Sequence, residues 1–191
     1  MQLVLASTSR YRRALLERLG LPFCVADPGV AEERRPGEAP EGMARRLAEA
    51  KALAAARGFR DALVIGCDQV AVLNGEVLGK PETHENAARQ LRALSGREAV
   101  FHTAVCVHNT TDGTSRIRVV PCRVTFRKLD EGAIERYLAR EKPYDCAGSA
   151  KSEGLGIALI AKMEGEDPNA LVGLPLIALV DLLREQGLDV L

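Results

Sequence analysis

ALVIGCDQVAVLNGEVLGKP, residues 62–81, decides the fold. Ala62–Gly66 is an apolar run of strand length. Cys67-Asp68-Gln69 follows at once, and Val70–Val72 resumes the apolar pattern. Asn74-Gly75 is then a strong hairpin signal, because both residues accept the left-handed backbone that a tight turn demands. Helical patterns flank this hairpin on both sides. Upstream, Pro40 suits a first helical position, Met43, Leu47, Ala50 and Ala54 mark a buried stripe, and Gly58 supplies the stop. Downstream, Thr83 can cap a helix through Leu94, with Ala87, Leu91 and Leu94 turned inward and Gly96 as the stop.

The same alternation continues to both ends. Gln2–Ala6 reads as a buried strand, Ser7-Thr8-Ser9 offers capping hydroxyls, and Arg10–Leu19 reads as a helix with Ala14, Leu15 and Leu19 on one side. Pro22–Ala26 suits a strand, and Asp27–Ala39, rich in Pro, Gly and charge, suits a loop. Ala99–Val107 and Arg116–Arg127 read as extended segments joined by a turn at Asp112-Gly113. Asp130 can cap a helix to Arg140, Leu155–Lys162 reads as a strand, and Pro175 opens a last helix burying Leu176, Leu179, Leu182 and Leu183. Strands and helices mix throughout, so the expected class is α/β (mixed α+β) with a partly antiparallel sheet.

Composition narrows the function. The chain has 191 residues, which suits one domain or two small lobes sharing a core. Lys plus Arg and Asp plus Glu number 26 each, which argues against a protein that coats nucleic acid or an anionic membrane. Aromatic residues make up only 4% of the chain, too few for stacking platforms that hold single strands. The five cysteines, Cys24, Cys67, Cys106, Cys122 and Cys146, are odd in number and widely spaced. They read as reduced thiols of a cytoplasmic protein rather than as a disulfide frame or zinc site. No apolar run approaches a membrane span, and no signal peptide is expected at MQLVLASTSR.

Four stretches can carry chemistry. Ser7 to Arg13 places hydroxyls and guanidinium groups at a helix start, where free backbone N–H groups favour anions. The same residues also fit a capped surface helix. Asp68, after its apolar run, suits the carboxyl end of a strand, where ligands of α/β folds gather. It can hold Mg²⁺, accept a proton from water, or simply form a turn. Lys80, in Gly79-Lys80-Pro81, offers a point charge for a phosphate or a solvated loop cation, and the same holds for Lys51 beside its helix stripe. In Cys146 to Gly156, Lys151 and Glu153 would share a face of an extended segment, as one pocket wall or as a surface ion pair. His84, His102 and His108 lack metal-ligand spacing, and no GxSxG, Walker A or GxGxxG pattern is present.

In order and spacing, LASTSRYRRALLERLG, Lys51, IGCDQVAVLNGEVLGKP, LSGREAVFHTAV, CAGSAKSEGLG and DPNALVGLPL together resemble the Maf family of nucleotide pyrophosphatases. Tyr11, Asp68-Gln69 and Glu153 match the branch acting on 7-methyl-GTP. The dTTP/UTP branch has arginine, Asp-Thr and glutamine at those places. Ala31-Glu32 departs from an Asp-Glu common among relatives. The resemblance implies a Maf/ITPase-like fold of two lobes around a central mixed sheet with a deep cleft, without a separable linker. It implies metal-dependent hydrolysis of a nucleoside triphosphate between the α- and β-phosphates, with Mg²⁺ or Mn²⁺ as cofactor. Asp68 would be the catalytic base, a metal ligand together with Glu32, or both, and the two roles compete because a carboxylate tightly bound to a metal is a poorer base. Ser7, Ser9, Arg12, Lys51, Lys80 and Lys151 would bind substrate, while Tyr11, Gln69 and Glu153 would set base preference. A homodimer, no stable nucleic-acid binding and no membrane contact complete the expectation. The alternatives are a pyrimidine-triphosphate or broader noncanonical-nucleotide pyrophosphatase of the same family, and a non-catalytic septum-related regulator.

Overall fold

A computed structural model describes residues 1–191. Seven strands form one sheet in the order β2-β1-β3-β5-β6-β7, with β4 added to β3. The strands are β1 Gln2–Ala6, β2 Phe23–Ala26, β3 Ala62–Leu73, β4 Glu76–Leu78, β5 Glu98–Asn109, β6 Ser115–Phe126 and β7 Ile160–Gly165. The helices are α1 Arg10–Glu17, α2 Pro40–Ala56, α3 His84–Leu94, α4 Glu131–Glu141 and α5 Leu176–Glu185. β1 runs parallel to both β2 and β3, whereas β3–β4 and β6–β7 are antiparallel. The mixed α/β class expected from the sequence is therefore the observed one.

β3 differs from its expectation in one useful way. The apolar run does not end before Asp68, because the strand passes straight through it to Leu73. What ends there is a neighbour. β1 pairs with β3 only as far as Ala6 opposite Gly66, and β4 begins opposite Ala71. A strand has two edges, and β5 takes the other one, so β1 and β4 share an edge on which residues 67–70 face neither. Asn74 and Gly75 turn the chain into β4 with φ of 51° and 85°, the left-handed pair that Asn-Gly supplies cheaply.

The chain divides into two compact units. The first contains residues 1–69, 103–120 and 167–191. Its core joins Leu3, Leu5, Leu63, Ile65, Cys67, Val105 and Val107 of the strands to Leu15 and Leu16 of α1 and to Leu176, Leu179, Leu182 and Leu183 of α5. Ala14, expected inside, is exposed, and Leu16 takes the buried place because its larger apolar surface gains more from leaving water. α2 departs similarly. It buries Met43, Ala44, Leu47, Ala48, Lys51, Ala52, Ala55 and Ala56, while Ala50 and Ala54 are only partly covered. Gly66 sets this phase. A Cβ there would strike the Ala48 carbonyl oxygen and lie 2.6 Å from the Ala52 nitrogen. The missing side chain lets α2 press its Ala48–Ala52 face against β3.

The second unit contains residues 70–102 and 121–166. Here α3 and α4 pack together and bury Ala87, Leu91, Leu94, Ile134, Tyr137 and Leu138. Thr83 and Asp130 cap them by accepting from Asn86 N and Ala133 N, as their sequence positions suggested. The expected strand Leu155–Lys162 is corrected: Leu155–Leu159 is a 3₁₀ turn, and β7 starts only at Ile160. Gly156 explains this. Any Cβ there would strike the Lys151 carbonyl oxygen and lie 2.6 Å from the Lys151 nitrogen, so the chain has folded back on itself instead of extending.

Candidate active site

In the first unit, the β1–α1 turn builds a compact group of donors. Ser9 is the N-cap of α1, its hydroxyl accepting from Arg12 N at 3.4 Å. The buried Ser7 hydroxyl accepts from Ser9 N at 3.2 Å and from Arg12 Nη1 at 3.4 Å. Arg12 is thereby folded back across the helix start, where the helix dipole already favours an anion. Tyr11 follows on the same turn. The Arg10 guanidinium lies 4.8 Å from its ring centroid, and Arg10 Nη2 donates to its hydroxyl at 2.7 Å.

Next to this group, Lys51 joins two carboxylates. Its Nζ lies 2.6 Å from Asp68 Oδ1 and 2.5 Å from Glu32 Oε1. Lys51 and Asp68 are both buried, at 4% and 6% exposure, so this is an internal ion pair whose charges need each other. Burial pushes the Asp68 carboxyl above the usual carboxylate range. The Lys51 ammonium and the Arg12 guanidinium pull it down, Glu32 adds to the rise, and the net direction is upward. Such a carboxylate holds a proton better than one in water, which suits a general base.

Glu32 was expected as a metal ligand in the Asp27–Ala39 loop. The structure ties that loop down. Arg46 of α2 grips Glu38 at two points, Nε to Oε1 at 2.5 Å and Nη2 to Oε2 at 2.7 Å, and Arg46 Nη2 also donates to Glu33 O. This grip holds the Glu38 carboxyl down at about 2. Glu32 and Asp68 together present carboxylate oxygens around one point of positive charge. That donor chemistry fits Mg²⁺ or Mn²⁺, which take one or two carboxylates and complete their shell with substrate phosphate and water. No group of three or more His, Cys, Asp or Glu is arranged to hold a metal by protein alone.

The other feature of this unit had no assigned role in the sequence. It is the turn 167–174. The buried Asp167 accepts from Asn169 N at 2.8 Å and Ile177 N at 2.6 Å, which pins the turn to the start of α5. The turn's carbonyls then collect donors from three elements. Gly173 O accepts from Arg12 Nε at 3.0 Å and Cys67 Sγ at 2.9 Å. Ala170 O and Leu171 O accept from Gln69 Nε2 at 2.9 and 3.0 Å, and Ala170 O also accepts from the buried Thr103 hydroxyl. Gly173 adopts φ of +120°, which a side chain would resist. The sequence signals were an Asp-Pro-Asn start, typical of a side-chain-stabilised turn, and Gly173 itself.

The second unit holds the remaining expected residues. Lys80 is exposed in the loop after β4. Lys151 is buried, with Nζ 3.5 Å from Glu141 Oε1 and 4.0 Å from Asp145 Oδ1, while its backbone N–H donates to Tyr137 Oη at 3.1 Å. Glu153 is exposed. The expected shared face of Lys151 and Glu153 is corrected. Residues 151–154 form a turn, closed by Gly154 N to Lys151 O at 3.1 Å, and a turn does not keep the two-residue alternation of an extended chain.

Known proteins resemble this chain over its whole length. A protein of Methylobacillus flagellatus named 7-methyl-GTP pyrophosphatase is 59% identical, covering 99% of this chain and 98% of its own. Proteins of the same name from Nitrosospira multiformis and Nitrosococcus oceani are 54% and 56% identical, with 99% of this chain and 96% and 95% of theirs covered. Among solved structures, the Ham1 protein of Staphylococcus aureus overlaps 66% of this chain and 72% of its own, at 20% identity and a TM-score of 0.47. The family model described as Maf-like protein matches residues 2–186, and this chain belongs to the Maf-like family.

Proposed function

We propose that the protein hydrolyses 7-methyl-GTP to 7-methyl-GMP and diphosphate. The observation that carries this reading is the buried Asp68–Lys51 pair with Glu32, beside a helix start bearing Ser7, Ser9 and Arg12. Relatives 53–59% identical carry the corresponding name.

The chemistry follows from the side chains. The helix start, Arg12 and Lys51 bind triphosphate oxygens and offset their charge. Asp68 accepts the proton of the water that opens the α–β anhydride, and diphosphate leaves. Lys51 counters part of the burial that favours the protonated form of Asp68, so base and cation act as one device. A divalent cation bound by Glu32 and Asp68 would supply further charge neutralisation on the phosphates. Lys80 and Lys151 are further phosphate-binding candidates of the second unit, and Glu153 is its candidate for recognising guanine. The Tyr11 ring suits the methylated base, which is cationic, once the Arg10 guanidinium that now lies 4.8 Å from its centroid moves aside. Cytoplasmic action and homodimer formation belong to the same reading. The free thiols of all five cysteines support the first, and sedimentation tests the second.

The experiment is a triphosphate panel with diphosphate detection, with and without Mg²⁺. The expected result is Mg²⁺-dependent release with 7-methyl-GTP as best substrate. Turnover of pyrimidine triphosphates alone would assign the protein to the other branch, and no turnover of any triphosphate would overturn the enzymatic reading.

A further inference from the structure

Gln69 can offer a ligand either its amide hydrogens or its carbonyl oxygen. We propose that Thr103, with the carbonyls of Ala170 and Leu171, is a positioning residue that makes Gln69 an acceptor only, so that Oε1 reads a hydrogen-bond donor on the substrate's base. The inference rests on the nucleotide reading above and adds to it a direction for one recognition contact.

The amide nitrogen has two hydrogens and meets three acceptors, Thr103 Oγ1 at 2.9 Å, Ala170 O at 2.9 Å and Leu171 O at 3.0 Å. The Thr103 hydroxyl hydrogen is already committed to Ala170 O at 2.9 Å, so this oxygen faces Gln69 with a lone pair. Flipping the carboxamide would bring Oε1 against two carbonyl oxygens at once, Ala170 O and Leu171 O. That is a repulsive arrangement, it would leave Leu171 O without its donor, and the Thr103 hydroxyl could relieve it only by turning away from Ala170 O. The orientation is therefore fixed from within the fold, with Oε1 left to meet a ligand. Thr103 is fully buried on β5, and the turn that supplies the two carbonyls is pinned by the buried Asp167.

The consequence is chemical. Guanine presents adjacent N1–H and N2–H donors, whereas uracil and thymine present a single N3–H between two carbonyl oxygens. A fixed acceptor favours the former and meets lone pairs on most of the latter's edge. An unfixed glutamine would rotate to suit either.

Two measurements test this together. The first is the ratio of kcat/KM for 7-methyl-GTP to that for UTP in wild type, Thr103→Val and Thr103→Ser. The valine variant is expected to lower the ratio roughly three- to tenfold, the effect of one hydrogen bond, and the serine variant to retain it. A merely structural role would depress both substrates together. An unchanged ratio in the valine variant, or an equal fall in the serine variant, would overturn the proposal. The second is hydrogen exchange of the Gln69 side-chain amide by NMR, which needs no turnover and no variant. Slow exchange relative to the exposed Gln2 amide supports the anchoring, and equal rates overturn it. A wild-type preference for UTP would instead defeat the 7-methyl-GTP reading, while the exchange rates would still decide whether the Gln69 amide is anchored.

Discussion

The two faces of β3 are held in different ways. On one face Gly66 and Asp68 meet α2, and the holding is ionic: Lys51 between Asp68 and Glu32, with Arg46 gripping Glu38 behind the Glu32 loop. On the other face Cys67 and Gln69 meet the 167–174 turn, and a thiol, an amide and a hydroxyl donate to its carbonyls, joined by the Arg12 guanidinium of α1 on Gly173 O. Successive strand residues point to opposite faces, so one strand sorts two tasks, with Arg12 the group that reaches both. The ionic face suits turnover, where charge must be offset and a proton moved. The neutral face suits choice of base, where direction matters more than strength.

Four variants break or sharpen that division. Asp68→Asn keeps the size and removes the base, so kcat is expected to fall by about 10²–10⁴-fold on every triphosphate, with the base preference unchanged. A steady-state panel checks this, and near-wild-type activity would remove Asp68 from its role. Gly66→Ala forces α2 away from β3, because the new Cβ meets Ala48 and Ala52 backbone. The expected loss is about 1–3 kcal/mol of stability or more, read from denaturant unfolding. Turnover should fall through the displaced Lys51, while the preference ratio survives.

Asp167→Ala attacks the other face. It strips acceptors from Asn169 N and Ile177 N, each worth about 1–3 kcal/mol when left buried and unpaired. Unlike Gly66→Ala, it should lower the preference ratio. If both variants change the ratio equally, the faces are not separate.

The smallest effect belongs to Glu38→Gln. The folded-state Glu38 carboxyl sits at about 2, below its ordinary 4.5. Its contribution to stability is complete above about pH 4.5 and is lost as pH falls toward about 2. The variant should lose that part of the acid dependence of Tm, and an acid limb identical to wild type would count against the grip.

The sequence made much of this visible, for physical reasons that differ by residue. Ser9, Thr83 and Asp130 announce helix starts because capping needs only a hydroxyl or carboxylate at one local position. Asn74-Gly75 announces its hairpin for the same local reason. Lys51, Asp68 and Glu32 could be grouped through family resemblance, but their common point of contact is tertiary. Met43 and Leu47 of α2 are buried as read, but Ala50 and Ala54 are not, because an alanine-rich helix has little hydrophobic contrast. A glycine on another element, Gly66, sets its phase. Leu155–Leu159 looks like a strand by composition, and only the close approach of Gly156 to Lys151 shows otherwise. Thr103 is hidden in an apolar strand, where one hydroxyl leaves no periodic signal.

Cys67 turns the neutral face into its own reporter. Its thiol is fully buried, donates to Gly173 O, and is pushed by burial toward the protonated form. An alkylating reagent needs a thiolate with room around it. Cys67 therefore reacts only in the fraction of molecules in which the 167–174 turn and the core around the thiol have opened, while the half-buried Cys24 provides a faster internal reference. Site-resolved labelling rates then measure the free energy of that opening. A molecule that carries no reporter dye still keeps time on the loop that orients its glutamine.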